Sequence, residues 1–182
     1  MSLEVVCGPM FSGKSSYIGA CVKRYHAIGM QVLVVKPLAD GRYSSLPEVV
    51  THDGVRFDCV SVGHLVNTFS LDDADVIIVE EAQFFGDLVL FVKHAVETLH
   101  RDVVVVGLDG DYNRKPFGQV LDCIPLADKV TKLTALCSEC GDGTPGLFSY
   151  RKTGGSAQVQ VGGSSMYEAY CRTHYLDATT AE

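Results

Sequence analysis

No apolar run in this 182-residue chain approaches the roughly 20 residues needed to span a bilayer. The longest, Val103–Val106 with its neighbours, suits a buried strand. Met1-Ser2-Leu3-Glu4 lacks the basic start and long apolar stretch of a secretory signal. Positive charge is also scarce: 15 Lys and Arg against 22 Asp and Glu leave a net −7. A protein that grips a nucleic-acid backbone is usually basic, so cationic groups here must act locally, on a small anionic ligand. Trp is absent, which excludes nothing, and there are no internal repeats or low-complexity tracts. What is present is an ordinary globular balance, 47% hydrophobic and 20% charged, which excludes a disordered chain. The length fits one domain, or one domain with a small appendage. With no secretory route visible, the seven cysteines read as reduced thiols or metal ligands, and the setting as cytoplasmic, with no membrane and no nucleic acid as partner.

Five segments read as buried strands: Leu3–Cys7, Gln31–Val35, Phe57–Val60, Val76–Val79 and Val103–Leu108. Most are continuous β-branched runs, the pattern of strands covered on both faces. Helical spacing is predicted over Ser15–Ile28, ending near Gly29, and over Phe84–Leu99. Strand and helix alternating in this way predict a doubly wound α/β domain with a parallel sheet, spanning 1–135. From about Leu136 the chain turns rich in Gly, Ser and Thr. Segment 136–182 is too short and polar to build its own core and needs a staple. Within it, Gln158–Val161 is a candidate strand.

Gly8-Pro9-Met10-Phe11-Ser12-Gly13-Lys14-Ser15 matches G-x-x-x-x-G-K-[ST] between a predicted strand and a predicted helix. The glycines let backbone N–H groups turn toward phosphates, and the helix N-terminus adds about half a positive charge. Lys14 supplies a compact cation for β- and γ-phosphates, and the Ser15 hydroxyl a Mg²⁺ ligand. Val76–Val79 runs into Glu80 and Glu81. Ligands of α/β sheets sit beyond the carboxyl ends of strands, so one carboxylate there can anchor Mg²⁺ and the other take a proton from an attacking hydroxyl.

Cys137-x-x-Cys140 and Cys171-x-x-His174 are two close-spaced donor pairs. Three thiolates and an imidazole suit tetrahedral Zn²⁺, and four protein donors leave no open position, so the metal is structural: a zinc ribbon with a long inserted loop. Cys7, Cys21, Cys59 and Cys123 fall in apolar surroundings and read as small buried hydrophobes.

Together, GPMFSGKS, EEAQFF (80–85), LDGDYNRKPFG (108–118), PLADKVTKLTALCSEC (125–140) and GGSSMYEAYCRTH (162–174) resemble type II thymidine kinase, the cytosolic and viral family. The resemblance runs in order over nearly the whole chain. It implies a RecA-like P-loop domain, a zinc-stapled lasso loop over the nucleoside, and a homotetramer. The implied reaction moves the γ-phosphate of ATP to the 5′-hydroxyl of thymidine, and of deoxyuridine, with Mg²⁺; dTTP is the implied feedback inhibitor. Glu81 matches the family's general base, and Glu80 the metal-side carboxylate, where the family usually has Asp. Asp40 and Arg42 resemble its D-x-R element, with Arg42 on the phosphoryl group in flight. ATP contacts extend from the glycine loop to Ser16 and Gln83. Phe84, Leu108, Tyr112 and Phe117 resemble the walls around thymine. The lasso contributes Gln158, Val159, Gln160, Val161 and Gly162, with Gln158 and Gln160 where the family usually has apolar residues. Tyr167 matches the tyrosine against the sugar or base. His174 stands where many members have Cys. Other readings are another nucleoside or nucleotide kinase, of which a nucleotide acceptor would need more arginines, a zinc-ribbon ATPase on nucleic acid, which the −7 charge disfavours, and a purely structural zinc module, which the intact glycine loop disfavours.

Overall fold

A computed structural model describes residues 1–38, 48–50, 56–71, 73–153, 155–160 and 162–180. The strands are β1 (Ser2–Cys7), β2 (Val32–Pro37), β3 (Glu48–Val50), β4 (Arg56–Asp58), β5 (Val60–Val62), β6 (Val76–Val79), β7 (Asp102–Gly107), β8 (Lys129–Lys132), β9 (Ala135–Leu136), β10 (Pro145–Gly146), β11 (Phe148–Arg151) and β12 (Tyr167–Tyr170). The α-helices are α1 (Lys14–His26), α2 (Leu88–Lys93) and α3 (Arg172–Thr180).

Six strands form one all-parallel sheet in the order β5-β2-β6-β7-β1-β8. The doubly wound α/β expectation holds. Its hydrophobic logic is visible along β1: Leu3, Val5 and Cys7 join one core, and Val6 joins the other, beside Ile18, Cys21 and Val22 of α1. All of β6 and most of β7 are buried, which is why those segments read as unbroken apolar runs. Cys7, Cys21, Cys59 and Cys123 are buried thiols, as the sequence suggested.

Helix α1 ends where expected. Lys23, Arg24 and His26 occupy its last turn, where cations favour the dipole. Gly29 then takes the left-handed conformation (φ 80°), and Met30 N–H donates to Tyr25 C=O at 3.1 Å, closing the helix end. The second helical stretch is shorter than its periodicity predicts. Residues Ala82–Phe84 form a 3-10 turn, α2 begins at Leu88, and His94–Thr98 widen into a π turn. The predicted strand 57–60 is divided: Arg56–Asp58 pairs with β3, and Val60–Val62 joins the main sheet.

β3, β8, β9, β10, β11, β12 and α3 fall outside the strands and helices that the sequence pattern predicts. β8 is an edge strand with a largely polar exposed run, and the paired strands β11 and β12 mix aromatic, charged and small residues with no unbroken apolar run. Gln158–Gln160 form no strand, and Val161 lies outside the described residues. Side-chain links to other loops hold that stretch in place of a ladder. Among the described residues no helix is long and apolar enough to cross a membrane.

Candidate active site and metal centre

The glycine loop leaves the carboxyl end of β1 and enters α1. Phe11 (φ 65°) and Gly13 (φ 79°) both adopt left-handed backbone, which turns the loop in on itself. Gly8 is required for a close approach: a Cβ there would lie 2.5 Å from Leu133 C=O. Ser12 Oγ donates to Pro9 C=O at 2.8 Å, bracing the loop from within. Lys14 Nζ donates to Pro9 C=O at 2.6 Å and Gly8 C=O at 3.3 Å, so its ammonium sits against the loop.

Two strands away in the sheet, β6 delivers Glu80 and Glu81 to the same edge. Glu80 is buried, and its Oε1 accepts from Ser15 Oγ at 3.2 Å. Glu81 follows in left-handed backbone (φ 48°, ψ 42°), an uncommon state for a non-glycine residue. That turn separates the two neighbours: Glu80 faces the loop, and Glu81 Oε2 accepts from Gln83 Nε2. Gln83 Oε1 in turn accepts from the Leu108 N–H at 3.1 Å.

A cavity opens at Gln83, walled by Phe84, Leu108, Tyr112, Phe117 and Tyr167 and roofed by Gln158, Val159, Gln160 and Gly162. Phe84 and Phe117 meet edge to face at 5.5 Å. Every nucleoside-contact residue expected from the sequence and described here lines this one cavity. Met10 and Gln83, expected near ATP, line it too.

The roof loop is tied down by side chains from below. Arg151 of β11 is buried, lies 3.4 Å over the Tyr112 ring, and donates to the Ala157 carbonyl at 2.7 Å and to the Gly155 carbonyl. Tyr112 Oη donates to Ser156 C=O at 3.2 Å, Gln158 Nε2 to Asp111 Oδ2 at 2.9 Å, and Tyr167 Oη to Gln160 C=O at 2.8 Å. Asp111 and Ser149 also line the cavity and were not singled out. Ser149 lies in a strand with no local chemical signal. Its Oγ accepts from Met10 N–H at 2.9 Å, joining the glycine loop to the hairpin.

The four predicted metal donors come together. Cys137, Cys140, Cys171 and His174 have ligand atoms all within 4.8 Å of one another. Cys140 and Cys171 sulfurs are 3.9 Å apart, and His174 Nδ1 lies 3.5, 3.4 and 3.4 Å from the three sulfurs. A zinc tetrahedron with bonds of about 2.0–2.3 Å has edges of about 3.5–3.8 Å, so the donor set fits that ion. Burial pushes the Cys137 thiol up, but backbone N–H groups of Cys171 and Cys140 outweigh it and bring it down to about 6. Burial and the adjoining Cys137 sulfur push the Cys140 thiol up to about 11, so one donor is already suited to a cation and its neighbour is held protonated until one binds. A thiolate at neutral pH is the form a metal binds.

Lys14, Ser15, Glu80 and Glu81 share one edge of the sheet, and Ser16 follows in α1. Asp40, Arg42 and Val161 lie outside the described residues. A parallel sheet carrying a phosphate loop after β1 and paired carboxylates after β6 defines a P-loop nucleotide-binding protein. Residues 1–175 match the family model described as thymidine kinase. The chain is 42% identical over 181 residues to thymidine kinase a of Arabidopsis thaliana, covering 96% of this chain and 75% of that protein. It is 43% identical over 182 residues to a thymidine kinase of Oryza sativa subsp. japonica, covering 96% and 66%. The chain belongs to the thymidine kinase family: it is a transferase that uses ATP to phosphorylate thymidine for salvage.

Proposed function

We propose that the chain joins the 5′-oxygen of thymidine to the γ-phosphorus of ATP, with the residue roles expected from its sequence. Glu81 takes the 5′-hydroxyl proton, the oxygen attacks, and the bond from the γ-phosphorus to the β-phosphate oxygen breaks, releasing ADP and dTMP. The observation that carries this reading is the single edge shared by the phosphate loop, Glu81 and the aromatic cavity. Lys14 and the loop amides orient the phosphates, and Arg42, with Asp40, serves the group in flight.

Mg²⁺ held by Ser15 and Glu80 would draw charge from the phosphates. Their oxygens are 3.2 Å apart, close to the roughly 3 Å edge of an octahedron with bonds of about 2.1 Å. Zinc on Cys137, Cys140, Cys171 and His174 staples segment 136–182, which acts as a lid module on a core of 1–135. The lasso supplies backbone partners to the thymine edge and excludes water that would compete for the phosphoryl group. Deoxyuridine fits the same contacts. The product-derived dTTP could seat its base in the cavity and its phosphates toward the loop, giving feedback inhibition. A homotetramer and a cytoplasmic location follow from the family resemblance.

The test is ADP release with thymidine, dTMP or single-stranded DNA as the only added partner. Thymidine alone should stimulate. Lys14→Ala should abolish that stimulation while the thermal unfolding midpoint stays within a few degrees. Stimulation by DNA, or normal turnover in the variant, would overturn the reading.

A further inference from the structure

Glu81 lies two residues beyond β6 in left-handed backbone, and a general base needs a fixed orientation. What fixes it is visible in Gln83. This side chain is 4% exposed, and both ends of its amide are engaged. The Leu108 N–H can only donate, so it must meet the amide oxygen; that settles the amide's direction and turns Nε2 onto Glu81 Oε2. The backbone beneath is equally constrained. A Cβ at Gly107 would lie 2.8 Å from Gln83 Oε1, and one at Gly118 would lie 2.1 Å from the Gln83 carbonyl oxygen. Two glycines therefore form a cradle into which Gln83 fits at one angle. Leu108 is itself a wall of the nucleoside cavity.

We propose that Gln83 is a positioning residue for the reaction: its amide, locked by the Leu108 N–H, holds the Glu81 carboxylate toward the acceptor hydroxyl. This gives Gln83 a role toward the base, distinct from the ATP contact suggested by its sequence position. It ties the base to the end of β7, so the strand that walls the nucleoside also sets the angle of the group that deprotonates it. The inference rests on Glu81 being the base.

The experiment compares Gln83→Met, which has similar volume and no hydrogen bonds, with Gln83→Glu, which still accepts from Leu108 but sets a carboxylate against Glu81. Both should lower kcat about 10- to 100-fold, with thymidine Kd and ATP KM within about twofold of the parent. Adding Gln83→Met to Glu81→Gln should lower kcat by less than about a further twofold, because a residue acting through the base has nothing left to act on. If Gln83→Met fails to fold, the isosteric Gln83→Glu carries the kcat measurement. A raised ATP KM with kcat kept would make Gln83 an ATP contact and overturn the inference. So would losses that multiply in the double variant. If Glu81→Gln itself leaves kcat unchanged, the base reading has failed. If Glu81→Gln is slow and both Gln83 variants turn over normally, only the positioning role has failed.

Discussion

Ser15 Oγ donates to Glu80 Oε1 at 3.2 Å, whereas the next residue, Glu81, turns away to Gln83. Adjacent carboxylates thus face different chemistry, and magnesium should tell them apart. Glu80→Gln should raise the Mg²⁺ concentration needed for half-maximal rate, with excess Mg²⁺ restoring part of kcat, and Glu80→Asp should stay active. Glu81→Gln should lose at least about 100-fold in kcat at every Mg²⁺ concentration, with little change in thymidine affinity. A Mg²⁺ titration of the three variants checks this. Rescue of Glu81→Gln and not of Glu80→Gln would mean the roles are reversed.

Cys137, Cys140, Cys171 and His174 bring their ligand atoms within 4.8 Å of one another in the segment that carries the cavity's roof. About one zinc per chain is expected by elemental analysis. Cys140→Ala should weaken thymidine binding at least tenfold and ATP binding by less than about threefold, measured by calorimetry. Normal thymidine affinity in a zinc-free variant would refute the staple.

Arg151 both stacks on Tyr112 and donates to two lasso carbonyls. Stacked, charge-assisted contacts of this kind contribute about 1–3 kcal/mol. Arg151→Leu should therefore raise the KM for thymidine about tenfold and leave ATP affinity unchanged, since the arginine touches the roof and not the phosphate loop. Equal losses for both ligands would point instead to collapse of the hairpin.

Glu4, buried in β1, accepts from Tyr17 Oη at 2.6 Å, from Thr131 Oγ1 at 3.0 Å and from Lys129 Nζ at 2.7 Å. Burial pushes its carboxyl up, but these donors outweigh it, so it titrates below its ordinary value. A carboxyl lowered by folding contributes stability above its unfolded pKa, and that contribution disappears as pH falls through the folded pKa. Glu4→Gln should cost about 1 kcal/mol in urea unfolding at pH 7, and the gap to the parent should close below about pH 4. A gap that persists unchanged at pH 3 would locate the loss in packing and not in charge.

The sequence by itself determined the sheet strands that are buried on both faces. A run such as Val76–Val79 has no other stable place, and two carboxylates follow at its carboxyl end, where α/β sheets receive their ligands. It also determined the glycine loop and the four-donor cluster, because local spacing alone brings phosphate-binding amides or paired metal ligands together. Tertiary structure decided what rests on distant partners. β8 exists because β1 offers it a free edge, and its own run Lys129–Lys132 carries no apolar signal. Gln158–Gln160 alternate like a strand but are held as an irregular roof, because Asp111 and Tyr167 engage them through side chains. Phe84 begins a helical pattern yet lies in a 3-10 turn, where Gln83 docks on Gly107 and Gly118. Asp111, Ser149 and Arg151 join the site through Gln158, Met10 and Tyr112, which lie 47, 139 and 39 residues away, and no local pattern encodes such a partner.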